Sequence, residues 1–166
     1  MKKIAILDCA ILEGSKLSGY GSVGLVVTKW LKPFLPDVSF DTIPIAKNCL
    51  FPKVEDFDGF IVPGSEKSIY DNLPWIIELR SFLKNIKKSK KPLFGICFGH
   101  QLMADTFGGM SGKSDMGYKV GVGRFSMKNN DFNAYIAHQD QVLKVPKEAS
   151  VVGSANYCKN AIIEYN

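Results

Sequence analysis

The chain has 166 residues, 46% of them hydrophobic and 22% charged, and a net charge of +5. That length suits one domain spanning 1–166 and is short for two. The composition excludes fibrous and disordered classes, and no apolar run approaches the roughly 20 residues of a membrane span.

The positive charge is scattered, with one cluster at Lys84–Lys91 ("KNIKKSKK") and only two arginines, Arg80 and Arg124. Nucleic-acid surfaces carry denser basic patches interleaved with aromatics. The cluster therefore reads as a solvated helix end, and no nucleic-acid partner is expected. Four cysteines (Cys9, Cys49, Cys97, Cys158) form no CxxC pair, so no metal site is expected. The opening "MKKIAILDCA" meets Asp8 and Glu13 too early for a secretory leader. A reduced, cytoplasmic protein is expected.

"KIAILDCAI" (residues 3–11) is a short, nearly continuous apolar run, as in a strand buried on both faces of a parallel sheet. A Gly/Ser-rich loop leads into "SVGLVVTKWLKPF". This segment predicts a helix ended by Pro33, with Val23, Val26, Val27, Trp30 and Leu31 on its apolar side. "DVSFDTIPI" alternates as a second strand. "DGFIVPGS" is a third, turned by Pro63-Gly64. "NLPWIIELRSFLKNIKKSKK" predicts a helix with Pro74 in its first turn. Its apolar positions Ile76, Leu79, Phe82, Leu83 and Ile86 recur at helical spacing. "PLFGICF" (residues 92–98) reads as a fourth buried strand. "GHQLMADTF" is the helix after it, ended by Gly108-Gly109. "KVGVGRFSM", "NAYIAH", "QVLKV", "SVVGSA" and "NAIIEYN" follow as short strands. The order predicts an α/β fold: three layers, α/β/α, with a mostly parallel central sheet and short additional strands in the C-terminal half.

Chemistry in such sheets gathers at the carboxyl ends of strands. There, Gly95-x-Cys97-x-Gly99 has the pattern of a nucleophile elbow, a sharp strand-to-helix turn whose flanking glycines relieve crowding. The helix N-terminus favours thiolate, and the Phe98 N–H points to where an oxyanion would form. Buried structural cysteines are common, and that is the reading for Cys9, Cys49 and Cys158. A cysteine nucleophile usually needs a histidine base. The chain has two histidines. His100 follows Cys97 too closely to approach the sulfur from the opposite side. His138 ends "NAYIAH" with no evident carboxylate partner.

The segments "DGFIVPGSEKSIYDNLPWIIELRSFLKN" and "KPLFGICFGHQLMADTFGGM" closely resemble the class I glutamine amidotransferases, and the free-standing GMP synthase-like members above all. "AHQDQV" and "GSANYCKNAIIEY" resemble the family's later segments. The resemblance implies a flavodoxin-like fold and hydrolysis of the glutamine amide through a γ-glutamyl thioester on Cys97. The ammonia would pass to a synthase partner. It implies an oxyanion hole at the N–H groups of Gly64 and Phe98, and Gln101 holding the glutamine. Ser65 and the His138 region would sit at the pocket edge, and His100 would be structural. It implies no cofactor, and no GxGxxG or P-loop pattern occurs.

The family's base and its carboxylate belong to a His-x-Glu motif after a strand like "NAIIEYN". No His-x-Glu occurs in these residues. The expectation is therefore a domain shortened at its C-terminal end, with weak or lost glutaminase activity and uncovered apolar surface that promotes self-association. Two other classes stay open: a non-catalytic binding or regulatory pseudoenzyme, and a cysteine hydrolase or peptidase of related architecture.

Overall fold

The computed structural model describes residues 1–128 and 130–166. They fall into two compact units, Met1–His100 and Gln101–Asn166.

The first unit is built on a parallel sheet in the order β2-β1-β3-β4: β1 is Lys2–Leu7, β2 Val38–Ile43, β3 Gly59–Val62 and β4 Leu93–Gly95. Successive side chains of a strand point to opposite faces, so Phe60 and Ile61 of β3 define the two faces. On the Ile61 face lies α1 (Val23–Leu31), whose Val27 packs with Ile6 and Ile61. On the Phe60 face lies α3 (Pro74–Lys88), where the Phe60 and Phe82 rings meet edge to face at 5.7 Å. The unit is thus helix, sheet, helix.

Local chemistry explains each helix. The Ser22 side chain caps α1 by accepting from the Leu25 N–H at 3.2 Å. Pro74 occupies the first position of α3, where its missing N–H costs nothing. Ile76, Leu79, Phe82, Leu83 and Ile86 are all buried, as their spacing predicts. Each contributes on the order of 2 kcal/mol of hydrophobic stabilisation.

Four expectations need correction. The apolar side of α1 is narrower than predicted: Val23, Val27 and Leu31 face the sheet, while Val26 and Trp30 are exposed. Stripe positions recur at i and i+4, and Val26 and Trp30 lie about 100° round from them. The first strand ends at Leu7, and Ile45 of the predicted second strand begins a short helix instead, α2 (Ile45–Asn48). The fourth strand is three residues long and not buried, with Phe94 61% exposed. It ends the strand order of its sheet, and the chain leaves it at once for α4 (Phe98–Thr106).

The second unit is antiparallel. One sheet has the order β10-β9-β6-β7: β6 is Lys119–Met127, β7 Asn130–His138, β9 Ala149–Ala155 and β10 Cys158–Tyr165. A two-stranded sheet pairs β5 (Met110–Lys113) with β8 (Asp140–Lys144). The strand β5, "MSGK", was not predicted because it carries no apolar alternation. Gly108 ends α4 at φ 95°, a left-handed conformation suited to glycine. Among the described residues no helix is long and apolar enough to cross a membrane.

Candidate active site

The candidate nucleophile sits between β4 and α4. Cys97 is exposed and adopts φ 52°, a left-handed conformation rare for a residue with a side chain. The fold holds it there from both sides. Before it, the Ile96 N–H donates to the Val62 carbonyl at 2.9 Å. After it, the Gly99 N–H donates to the Pro63 and Ile96 carbonyls at 3.2 and 3.0 Å. The turn from Ile96 to Gly99 is therefore pinned to the end of β3.

Gly99 cannot carry a side chain. A Cβ there would overlap the Val62 carbonyl oxygen and stand 2.8 Å from the Val62 carbonyl carbon and Cβ. Gly64 stands close to Cys97: a Cβ on it would make ordinary contact with the Cys97 Cβ at 3.7 Å.

Phe98 opens α4, so its N–H is among those a helix leaves without an intrahelical acceptor. Its buried ring packs on Trp75 at 5.6 Å, which fixes the start of the helix. The Ser65 hydroxyl donates to the Cys9 carbonyl at 2.6 Å and accepts from the Lys67 N–H at 3.0 Å. It ties the loop after β3 to the chain after β1. His100 lies within α4, three residues past Cys97.

Cys9 is a different kind of thiol. It is fully buried and donates to the Leu7 carbonyl at 3.1 Å. Burial pushes its pKa well up, and the charges of Asp8 and Glu66 add to the shift. Burial also raises Cys158. These two are structural, as expected, whereas Cys49 is exposed at φ 50°.

In the second unit Gln101 and His138 converge on one atom. The buried Gln101 side chain donates from Nε2 to the Asp140 carbonyl at 2.7 Å. His138 Nδ1 stands 3.0 Å from the same oxygen. As a hydrogen bond, that contact places the proton on Nδ1 and leaves Nε2 as the ring's basic nitrogen. The Gln101 carbonyl accepts from the buried Ser111 hydroxyl at 2.9 Å. The His138 ring rests 5.8 Å from that of Tyr157, whose hydroxyl burial raises to about 12.

The Asp140 carbonyl and the Trp75 support were not found from the sequence. A backbone carbonyl carries no residue identity, so no sequence signal marks it. Trp75 was visible only as part of an apolar helix. Among the described residues no group of His, Cys, Asp and Glu side chains is arranged to hold a metal.

The profile of the family described as "Glutamine amidotransferase class-I" matches residues 35–166. The chain belongs to this family. It is 34% identical over 123 residues to gamma-glutamyl peptidase 2 of Arabidopsis thaliana, covering 65% of this chain and 50% of that one. It is 26% identical over 148 residues to a glutamine-hydrolysing GMP synthase subunit of Archaeoglobus fulgidus, covering 84% and 74%. The glutamine amidotransferase of Methylobacillus flagellatus shares its fold, with a TM-score of 0.81 at 19% identity over 100% of this chain and 66% of that one. The class I amidotransferase fold is therefore present, α/β with a parallel, flavodoxin-like sheet. The chain spans about half the length of the peptidase relative.

Proposed function

We propose that this class I amidotransferase attacks the γ-glutamyl amide carbonyl of glutamine with Cys97. The observation that carries the reading is the left-handed Cys97, held on a strand-to-helix turn that only glycine permits at position 99. The Cys97 thiolate adds to the γ-carbonyl, forming a C–S bond and an oxyanion. The N–H groups of Gly64 and Phe98 receive the oxyanion. The carbonyl re-forms as the C–N bond breaks, ammonia leaves with the proton that the Cys97 thiol gave up, and a γ-glutamyl thioester remains on Cys97. Water then cleaves the thioester to glutamate. Ser65 holds the loop that carries Gly64, and the family pattern proposes Gln101 and His138 as glutamine-binding residues. The free ammonia passes to a synthase partner, a reading supported by the relatives named as GMP synthase subunits.

Proton transfer from the Cys97 thiol to the leaving ammonia is work for a base. The chain's histidines are His100 and His138, and no His-x-Glu is among its 166 residues. Its thiol-only cysteines fit a reducing, cytoplasmic setting. The family match runs through both units, which supports reading the chain as one amidotransferase-like domain.

A second reading has one observation in its favour: several relatives are named gamma-glutamyl peptidases. The same attack on a γ-glutamyl peptide would release an amine-bearing peptide in place of ammonia. Hydroxylamine tests both readings, because it captures a γ-glutamyl thioester as γ-glutamyl hydroxamate without an enzymic base. The hydroxamate forms from glutamine or from a γ-glutamyl dipeptide, whichever is the substrate, and not with Cys97→Ala. If wild-type protein makes no more than Cys97→Ala from either, the chain is a pseudoenzyme.

A further inference from the structure

The strand β7 is the last strand of its sheet, and among the described residues it pairs only with β6. Its nine residues, "NDFNAYIAH", stay in unbroken register with β6 from Asn130 opposite Met127 to His138 opposite Lys119. Open edges invite pairing, and proteins usually blunt them with lysine, proline, a bulge or short length. β7 has none of these. The edge strand β10 carries Lys159 and irregular register with β9, and β4 is only three residues long. β7 is also exposed along most of its length, with Tyr135 at 91%.

We infer that β7 is a pairing edge for a second copy of this chain, joining two sheets antiparallel about a two-fold axis at Ala134. That register engages all nine residues of each strand. It sets Asn130 opposite the partner's His138, and Phe132 opposite the partner's Ile136. Asn133 faces the partner's Tyr135, and Asp131 faces the partner's Ala137. Polar meets polar and apolar meets apolar along the face that carries Phe132 and Ile136. The single charged residue of the strand, Asp131, meets no like charge and is already paired with Arg124 at 2.8 Å in its own chain. A two-fold interface requires this self-complementarity. A strand from another protein would match the backbone but has no reason to match these side chains.

Sedimentation velocity across a concentration series tests the inference on the 166-residue protein. Wild type forms a dimer. The double variant Asn133→Lys with Tyr135→Lys, at two exposed positions, places lysine opposite lysine twice and raises the dimer Kd at least about tenfold. Mixing it with Asn133→Glu/Tyr135→Glu restores a dimer. Should the variants fold poorly by circular dichroism, amide exchange of wild type decides instead: β7 amides slow with rising concentration. A wild type that stays monomeric, a Kd unchanged by the lysines, or β7 exchange independent of concentration overturns the inference.

Discussion

Gly99 packs against the carbonyl group of Val62 so closely that no side chain fits between them. This contact ties the first turn of α4 to the end of β3 and holds Cys97 in its left-handed conformation. Gly99→Ala should therefore cost about 3 kcal/mol, at the upper end for overpacking a dense site. It should also lower the reactivity of Cys97, because the turn must open to admit the methyl. Urea unfolding followed by circular dichroism reads the first effect. An unchanged midpoint would show that the turn tolerates a Cβ.

Cys97 itself bears backbone strain that glycine would not. Cys97→Gly should raise stability by about 1 kcal/mol while abolishing thioester formation. The pair of outcomes separates function from fold: a thermal midpoint that falls would mean the left-handed turn is not strained in the wild type.

The buried thiols set a pH dependence. The pKa of Cys9, and that of Cys158, lies above its unfolded value because burial disfavours thiolate. Their stabilising contribution is complete below about pH 8.5, the unfolded thiol value. It is lost as pH rises from there toward the folded values. Tyr157 adds a loss above pH 10, its unfolded value, until about 12. The urea midpoint should fall between pH 7 and pH 9.5 by less in Cys9→Ala than in wild type. Equal falls would exclude Cys9 as a cause.

Much of this was legible in the sequence. The five apolar positions of α3 are all buried, and the nine residues "KVGVGRFSM" form β6 from Lys119 to Met127 as read. Both rest on periodicity, which is local. The elbow was legible because Gly99 answers a steric demand that only glycine meets. What escaped depends on distant neighbours. Whether Phe94 or Trp30 is buried is decided by which element covers it, and their own segments look like any other buried run. The joint hold of Gln101 and His138 on the Asp140 carbonyl is a backbone contact without a residue signature.

That shared carbonyl gives a further prediction. Gln101→Ala removes a buried donor and should cost about 1–2 kcal/mol of stability. If Gln101 also contacts glutamine, the variant weakens saturation by glutamine in the hydroxamate reaction as well. Full stability of Gln101→Ala would argue that the hydrogen bond to Asp140 contributes nothing.

His138 is the histidine to test as a base. His138→Ala should leave the rate of ammonia release from glutamine unchanged; a drop would make His138 the base.

The most direct test of the central claim is peptide mapping by mass spectrometry after treatment with a diazo-ketone analogue of glutamine. One adduct is expected, a thioether on Cys97 formed with loss of dinitrogen and blocked by glutamine, with the exposed Cys49 unmodified. Modification of Cys49 to the same extent as Cys97, or no glutamine protection, would contradict it.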